Sequence, residues 1–102
     1  MLQEINTQNF EAYSQDSQNL LIEFGAEWCG PCRTTLPGLK KLSEEQDALT
    51  VAKVDIDESQ ELALKFSITN VPTMILFQNG AEVSRQVGAM SHAQLVEKFT
   101  AK

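Results

Sequence analysis

The chain contains two cysteines, and both lie in the pentapeptide Trp28-Cys29-Gly30-Pro31-Cys32, between a predicted strand and a predicted helix. The attacking species in disulfide chemistry is the thiolate, and a helix dipole stabilises negative charge on a sulfur at the helix N-terminus. Cys29 has that position. Cys32 follows one helical turn later, close enough to displace a partner bound to Cys29 but more shielded. The spacing therefore predicts an attacking sulfur backed by a resolving sulfur.

Three other interpretations of the cysteine pair stay open. A permanent structural disulfide is one, although a four-residue loop stabilises a fold by only about 2 kcal/mol, against about 5 kcal/mol for a loop of roughly 100 residues. A structural zinc site is another, but it requires four ligands, and the chain adds only one histidine, His92. An inert pair of free thiols is the third. We expect His92 to be exposed in the first turn of the last helix, without a catalytic role.

Length and composition indicate one ordinary globular domain over residues 1–102. Apolar residues make up 42% of the chain, and no repeat, linker or biased tract divides it. Fourteen acidic residues against eight basic ones leave a formal net charge of −6, and the basic residues are scattered. Because no basic cluster is available to neutralise phosphates, nucleic acid is not an expected ligand.

The expected location of the protein is cytoplasmic. The first twenty residues contain neither a basic n-region nor an apolar h-region, and no run of eighteen apolar residues occurs. We therefore predict neither a secretory signal nor a membrane-spanning helix, and no membrane partner. A mature chain whose targeting segment had been removed would show the same features, so that alternative stays open.

Hydrophobic periodicity predicts five strands and four helices in alternation. The strands are expected at 2–5, 20–24, 51–56, 74–78 and 82–87, and the helices at 7–15, 31–46, 57–67 and from 91 onward. This order favours an α/β fold in which a central mixed five-stranded sheet is flanked by four helices, as a three-layer α/β/α sandwich.

The helix starts carry recognisable capping residues. Thr7 is expected to cap the first helix, and Asp57 with Gln60 the third. Ser91 with Gln94 has the spacing of a capping box at the start of the last helix.

Proline and glycine predict bends and turns elsewhere. Pro31 suits a first helical turn, whereas Pro37 should kink the second helix because its ring removes a backbone hydrogen bond. Asn79-Gly80 predicts a type I′ turn between two antiparallel strands, since both residues readily adopt positive φ.

The cysteine pentapeptide resembles the active-site motif of the thioredoxin family, and the likeness extends over essentially the whole chain. Further segments are similar to thioredoxin segments in matching order: Phe24-Gly25-Ala26-Glu27, Val51-Ala52-Lys53-Val54-Asp55, Val71-Pro72-Thr73, Asn79-Gly80 and Val87-Gly88-Ala89. The resemblance implies the thioredoxin fold and a protein-disulfide reductase whose redox group is the Cys29–Cys32 pair, with no bound cofactor. It also implies re-reduction by a thioredoxin reductase, disulfide-containing proteins as targets, and a monomer.

The resemblance implies roles for residues outside the pentapeptide as well. Glu23 matches a buried acid that accepts the proton of the resolving cysteine, and Lys53 matches a lysine that pairs with this acid. Pro72 matches a proline held in a cis bond facing the cysteines. An extended target peptide would bind on a flat apolar surface, called the docking surface below, formed by Trp28, Gly30, Pro31, Val71, Gly88 and Ala89.

These assignments have alternatives, and the chain departs from the family at two positions. Glu23 would otherwise be a solvent-exposed carboxylate, Lys53 an exposed lysine and Trp28 a core aromatic residue. Most thioredoxins have Asp where Glu23 lies, so the extra methylene is expected to bring the carboxyl closer to Cys32 or to force it sideways against Lys53. Many have an aromatic residue where Gly25 lies, so looser packing near Glu23 is expected.

Two functions of other kinds stay open. A thioredoxin-fold binding module would use the docking surface as a subunit of a larger assembly, with redox turnover incidental. A disulfide oxidant or isomerase would use the same cysteines, but Gly30-Pro31 between them resembles the dipeptide of reductants. The sequence therefore predicts a thiol–disulfide oxidoreductase that works as a reductase.

Overall fold

Short strands alternate with helices because apolar residues recur at the two spacings that these elements require. The computed structural model describes residues 1–100 of the protein. The strands are β1 (Gln3–Glu4), β2 (Asn19–Gly25), β3 (Thr50–Asp55), β4 (Thr73–Gln78) and β5 (Ala81–Val87). The helices are α1 (Phe10–Asp16), α2 (Gly30–Glu45), α3 (Gln60–Lys65) and α4 (His92–Thr100).

The strands form one mixed sheet in the order β1-β3-β2-β4-β5. β3 pairs in parallel with β1 and β2, whereas β4 pairs antiparallel with β2 and β5. β2 is the central strand, and its residues from Leu20 to Gly25 are all buried. The continuous apolar run that predicted a buried central strand is therefore explained, because helices cover both faces of the sheet.

Two apolar clusters lie on opposite faces of the sheet, since successive side chains of a strand point in opposite directions. One cluster joins β2 to α1 and α3 and includes Phe10, Leu20, Ile22, Phe24 and Leu62. The other joins β2 to α2 and α4 and includes Leu21, Leu39, Leu42, Leu95 and Phe99. The predicted three-layer α/β/α sandwich is confirmed, and positions 21, 23 and 25 of β2 share the face that α2 covers.

The local signals at the hairpin and at α4 predicted these features correctly. Asn79 and Gly80 have φ values of 52° and 85°, as a type I′ turn requires. The backbone N–H of Ser91 donates to Gln94 Oε1 at 2.8 Å, and the N–H of Gln94 donates to Ser91 Oγ at 3.2 Å. This reciprocal pair is the capping box that the sequence predicted.

The capping predictions for α1 and α3 are wrong. The side chain of Asn6, rather than Thr7, accepts two backbone N–H groups in the turn before α1. Ser59 precedes α3, and Asp55 Oδ1 accepts the backbone N–H of Asp57 at 2.8 Å. Asx turns formed by Asn6 and Asp55, one and two residues upstream of the predicted caps, are present at these helix starts instead.

Helix α2 contains two prolines, with Pro31 in its first turn and Pro37 in its interior. Pro31 lies where a missing N–H is harmless, whereas Pro37 leaves the carbonyl of Arg33 without its usual helical donor. The kink expected at Pro37 stays a prediction. Within residues 1–100, no helix is long and apolar enough to span a bilayer.

Candidate redox site

Cys29 and Cys32 lie where the chain passes from the end of β2 into α2. Cys29 is the N-cap residue of α2, with extended backbone angles of φ −95° and ψ 108°, and its Sγ accepts the N–H of Cys32 at 3.1 Å. The two sulfurs are joined as a disulfide. Both side chains are buried, with 5% of Cys29 and 2% of Cys32 exposed. One sulfur thus lies at the helix tip and the other one turn inward.

Glu23 lies on the central strand, opposite Lys53 of β3 and Met74 of β4. Its side chain is 2% exposed, so the alternative of a solvent-exposed carboxylate is wrong. Among the described residues, Glu23 Oε2 has no hydrogen-bond partner. Burial raises the pKa of Glu23 from 4.5 to about 7, and the positive charge of Lys53 opposes this rise. The carboxyl can therefore gain or lose a proton near neutral pH.

Gly25 brings the end of β2 into close approach to the cysteine pair. A Cβ at this residue would lie 3.0 Å from Cys32 Sγ and 3.4 Å from Glu23 Oε1. A partly open cavity of about 400 Å³ lies here, with Glu23, Gly25, Cys32 and Lys53 among its lining residues. The looser packing expected near Glu23 stays a prediction.

Lys53 has a different partner from the expected one. Its Nζ lies 3.9 Å from Glu4 Oε2, and 43% of its side chain is exposed. The aliphatic stem carries the ammonium toward water, where the charge remains hydrated, while Glu23 stays buried. Lys53 therefore acts on Glu23 through its charge, which lowers the pKa of the carboxyl, rather than through the expected direct ion pair.

Trp28 is 67% exposed, so the alternative of a core aromatic residue is wrong. Its indole Nε1 donates to Asp57 Oδ2 at 2.8 Å, which orients the ring beside the cysteines. Sequence reasoning assigned Asp57 to a helix cap and missed this contact. The two residues are 29 positions apart, and no local pattern links them.

The loop before β4 lies against the cysteine pair. The Val71–Pro72 peptide bond is cis, as the resemblance implied. The carbonyl of Pro72 accepts the N–H of Gly88 at 2.8 Å, and Gly88 has a φ of 102° that a glycine adopts without steric cost. Val71 packs against the small apolar cluster formed by Ala26, Cys29 and Cys32.

The docking surface is thus partly assembled around the disulfide. Val71 contacts the cysteine cluster directly, and Gly88 is tied to Pro72 next to it. Gly30 is half-buried at the start of α2, while Pro31 and Ala89 are exposed.

His92 is half-buried rather than exposed as predicted. Its Nε2 lies 2.7 Å from Glu45 Oε1, because the packing of α4 on α2 brings the first residue of α4 to the last residue of α2. Glu45 and the cysteines are at opposite ends of α2, roughly 20 Å apart at the rise of an α-helix. The imidazole of His92, which contacts Glu45, therefore lies toward the end of α2 away from the cysteines.

The site combines a disulfide at a helix tip, a buried carboxyl that titrates near neutrality, and an exposed tryptophan at the rim. Within residues 1–100, no group of three or more His, Cys, Asp or Glu side chains is arranged to hold a metal ion. The sulfurs of Cys29 and Cys32 are the redox group of the site, since a dithiol and a disulfide interconvert by the transfer of two electrons. The fold and the site together define a thiol–disulfide oxidoreductase.

Comparisons with known proteins identify the family. A family model described as thioredoxin matches residues 1–101. The thioredoxin of Chlamydia trachomatis serovar D is 43% identical over 97 residues, which cover 95% of this chain and 94% of that protein. The bifunctional thioredoxin reductase/thioredoxin of Mycobacterium leprae is 47% identical over 82 residues, which cover 79% of this chain and 18% of that protein. The chain belongs to the thioredoxin family.

Solved structures agree with this assignment. A mutant thioredoxin from Halobacterium salinarum NRC-1 is similar with a TM-score of 0.88 and 32% identity, covering 99% of this chain and 92% of that chain. Plasmodium falciparum thioredoxin gives a TM-score of 0.87 at 32% identity, covering 93% and 96% of the two chains. The predicted thioredoxin fold is confirmed.

Proposed function

We propose that the protein reduces disulfide bonds in other proteins, with Cys29 as the attacking sulfur and Cys32 as the resolving sulfur. The observation that carries this proposal is the Cys29–Cys32 disulfide at the N-terminus of α2, where the N–H of Cys32 donates to the sulfur of Cys29. In the reduced protein this hydrogen bond and the helix dipole favour the thiolate over the thiol at Cys29.

The reaction proceeds in two steps that transfer two electrons to the target. The Cys29 thiolate attacks the target disulfide, a bond forms between Cys29 and one target sulfur, and the other target sulfur leaves and takes a proton from water. Cys32 then gives its proton to the ionised carboxyl of Glu23 and attacks the sulfur of Cys29. The mixed disulfide breaks, the second target sulfur leaves, and the intramolecular disulfide seen in the structure is formed.

Glu23 is suited to the second step because of its pKa. A proton acceptor works best when its pKa lies near the working pH, and burial raises the pKa of this carboxyl to about 7. The carboxyl is buried on the face of β2 that α2 covers, and Oε1 and the sulfur of Cys32 both approach Gly25. Proximity and protonation state together support the role of Glu23 as acceptor.

The docking surface supports recognition of an extended target segment next to the disulfide. Trp28 is exposed and oriented by Asp57, and Val71 packs against the cysteine cluster. An apolar, weakly shaped surface of this kind binds many segments with modest affinity, which suits a reductase with several targets.

A flavoprotein thioredoxin reductase is the proposed source of electrons, since the Cys29–Cys32 disulfide must be reduced before the next cycle. The Mycobacterium leprae relative is named as a bifunctional thioredoxin reductase/thioredoxin, which supports this partner. We further propose a cytoplasmic monomer, because a reducing dithiol works where thiols are kept reduced. Consumption of the electron donor by a mixture of the protein, a thioredoxin reductase and a protein disulfide tests whether the reductase is the partner. Sedimentation measures the oligomeric state.

Single cysteine-to-serine variants separate the two chemical steps. We expect Cys29→Ser to abolish the reduction of insulin disulfides, since no sulfur remains to attack. Cys32→Ser should instead accumulate a covalent mixed disulfide with the target, because the resolving sulfur is missing. Insulin turbidity and mass spectrometry of the adduct measure these outcomes.

Unchanged insulin reduction in both variants would contradict the mechanism. A variant with both cysteines replaced by serine distinguishes a reductase from a binding module, because a binding module would retain its cellular function without either sulfur.

A further inference from the structure

Helix α2 and the segment that leads into α4 come into close contact along one side of α2. Thr35 and Gly38 are three residues apart on this helix, so they lie on the same side of it. A Cβ at Gly38 would lie 3.1 Å from the backbone N of His92 and 3.2 Å from its Cα. The chain that carries Gly88 and Ala89 of the docking surface therefore continues directly into this contact.

The hydroxyl of Thr35 makes two hydrogen bonds at this contact. Its Oγ1 donates to the carbonyl of Pro31 at 2.9 Å and accepts the backbone N–H of Met90 at 3.3 Å. Thr35 is 0% exposed, and within residues 1–100 the bond to Thr35 is the one hydrogen bond of the Met90 N–H. One buried side chain thus joins the turn of α2 that contains Cys32 to the peptide group between Ala89 and Met90.

Segment 88–90 depends on this hydroxyl more than α2 does. A threonine in a helix commonly satisfies its hydroxyl by donating to the carbonyl four residues earlier, as Thr35 does with Pro31. The carbonyl of Pro31 also accepts the hydroxyl of Thr34 at 2.9 Å, so it keeps a side-chain donor without Thr35. The Met90 N–H would instead be buried without an acceptor, which is costly. Loss of the hydroxyl should therefore release segment 88–90 and leave α2 in place.

We propose that Thr35 is a positioning residue, which holds Gly88 and Ala89 of the docking surface at a fixed distance from the Cys29–Cys32 pair for target disulfides that lie within a peptide chain. This inference rests on the proposed function as a protein-disulfide reductase and deepens it. A target chain that lies along the docking surface needs these residues in place when Cys29 attacks, whereas a small disulfide presents no chain to them. The expected signature is a loss of rate with protein disulfides alone.

The test compares two substrates of the reduced protein: insulin, whose disulfides lie within peptide chains, and a small aromatic disulfide that releases a coloured thiolate. Thr35→Val keeps the shape of the side chain and removes the hydroxyl. We expect it to lower the second-order rate constant with insulin about fivefold, because a hydrogen bond that orders the docking surface is lost. The rate constant with the aromatic disulfide should stay within about twofold of the parent value, since the sulfur of Cys29 keeps its place at the helix tip. Thr35→Ser retains the hydroxyl and should restore the rate with insulin.

Thr34→Val is the matched control. The hydroxyl of Thr34 donates to the same Pro31 carbonyl at 2.9 Å, but Thr34 is exposed, and within residues 1–100 its hydroxyl makes no hydrogen bond to Met90. Both rate constants of Thr34→Val should stay within about twofold of the parent values. A fall with insulin as large as that of Thr35→Val would overturn the proposal, and so would a proportional fall of Thr35→Val with both substrates.

Amide hydrogen exchange of the parent protein tests the contact without any substitution. The Met90 N–H should exchange at least about a hundredfold more slowly than in an unfolded chain, and unprotected exchange overturns the proposal even where Thr35→Val does not fold. The two proposals also fail in different ways. A parent protein that reduces the aromatic disulfide but not insulin overturns the proposed function together with this inference, whereas parent-like insulin reduction by Thr35→Val overturns this inference alone.

Discussion

The carboxyl of Glu23 links the stability of the protein to its chemistry. It is buried in the centre of the sheet, and Oε2 has no hydrogen-bond partner among residues 1–100. A buried carboxylate is costly to ionise, and the half-exposed Lys53 offsets only part of that cost. Burial destabilises the ionised carboxylate and therefore raises the pKa of Glu23 to about 7, where the group is useful as a proton acceptor.

Replacement of Glu23 by glutamine should stabilise the protein at high pH. The pKa of Glu23 rises from 4.5 to about 7 on folding, so the folded state binds the proton more tightly between these values. Its contribution to stability is complete below pH 4.5 and is lost as the pH rises through 7. This loss amounts to about 3 kcal/mol in the parent and is absent in Glu23→Gln. Urea unfolding of both proteins at about pH 4 and about pH 8 measures it, and an identical pH dependence would contradict the assignment.

Strand β5 and helix α3 are joined by one arginine. Arg85 donates through Nε and Nη2 to the carboxylate of Glu82 at 2.6 Å and 2.8 Å, and through Nη2 to the carbonyl of Phe66 at 3.0 Å. The hydrogen bond from Arg85 holds the pKa of Glu82 below its ordinary value. Because the carbonyl of Phe66 follows the last turn of α3, this side chain fixes the end of the helix to the edge of the sheet.

Truncation of Arg85 to alanine should cost about 1 kcal/mol in the free energy of unfolding, since the ion pair is partly exposed but bidentate and the Phe66 carbonyl loses its donor. Arg85→Lys should recover only part of this loss, because an ammonium cannot reproduce the bidentate geometry. Gln86→Ala, on the neighbouring exposed residue, serves as the control. Urea midpoints measure all three variants, and equal midpoints for Arg85→Ala and Gln86→Ala would show that the contact contributes nothing.

Strand β2 contributes side chains to both apolar clusters and leads into the redox site. The even-numbered residues of β2 pack toward α1 and α3, Leu21 packs toward α2 and α4, and the C-terminal end of the strand leads into the cysteine pair. Both apolar layers and the redox site therefore depend on the same backbone. Because the two layers share this strand, we propose that residues 1–102 unfold as a single domain.

Leu21→Ala tests this dependence. Leu21 is fully buried, so the substitution should lower the free energy of unfolding by about 3 kcal/mol. The same substitution at Leu64, which is 80% exposed, should change it by less than about 0.5 kcal/mol. Fluorescence of Trp28, the one tryptophan of the chain, reports the redox site, and far-UV circular dichroism reports the helices. The two transitions should coincide in every variant, and separate midpoints would contradict a single cooperative domain.

Local sequence signals predicted most of the fold and the centre of the site. The Cys-x-x-Cys spacing, the Asn79-Gly80 turn and the Ser91-Gln94 capping box depend on backbone preferences within a few residues, so they could be recognised without a tertiary structure. The apolar run of β2 predicted a buried central strand for the same reason, because a strand covered on both faces needs apolar side chains on both.

The wrong or missing predictions concern residues that have several possible partners. Asp57 was expected to cap α3, but Asp55 accepts the N–H groups of that turn and leaves the Asp57 carboxylate to Trp28. His92 was expected to be exposed, yet the packing of α4 on α2 supplies Glu45 as a partner. Short polar side chains satisfy whichever donor or acceptor lies nearest in the folded chain, which a linear pattern does not specify.

Cysteine spacing, strand and helix periodicity and the turn residues were sufficient to determine that this chain is an α/β protein with a dithiol at a helix tip. Packing of β2 against β3 and α2 then decided the properties that tune this dithiol. The burial of Glu23, the pairing of Lys53 with Glu4 and the close approach of Gly25 to Cys32 Sγ all join segments distant in sequence. Such contacts depend on distances of a few tenths of an ångström between packed elements, and only the folded chain defines those distances.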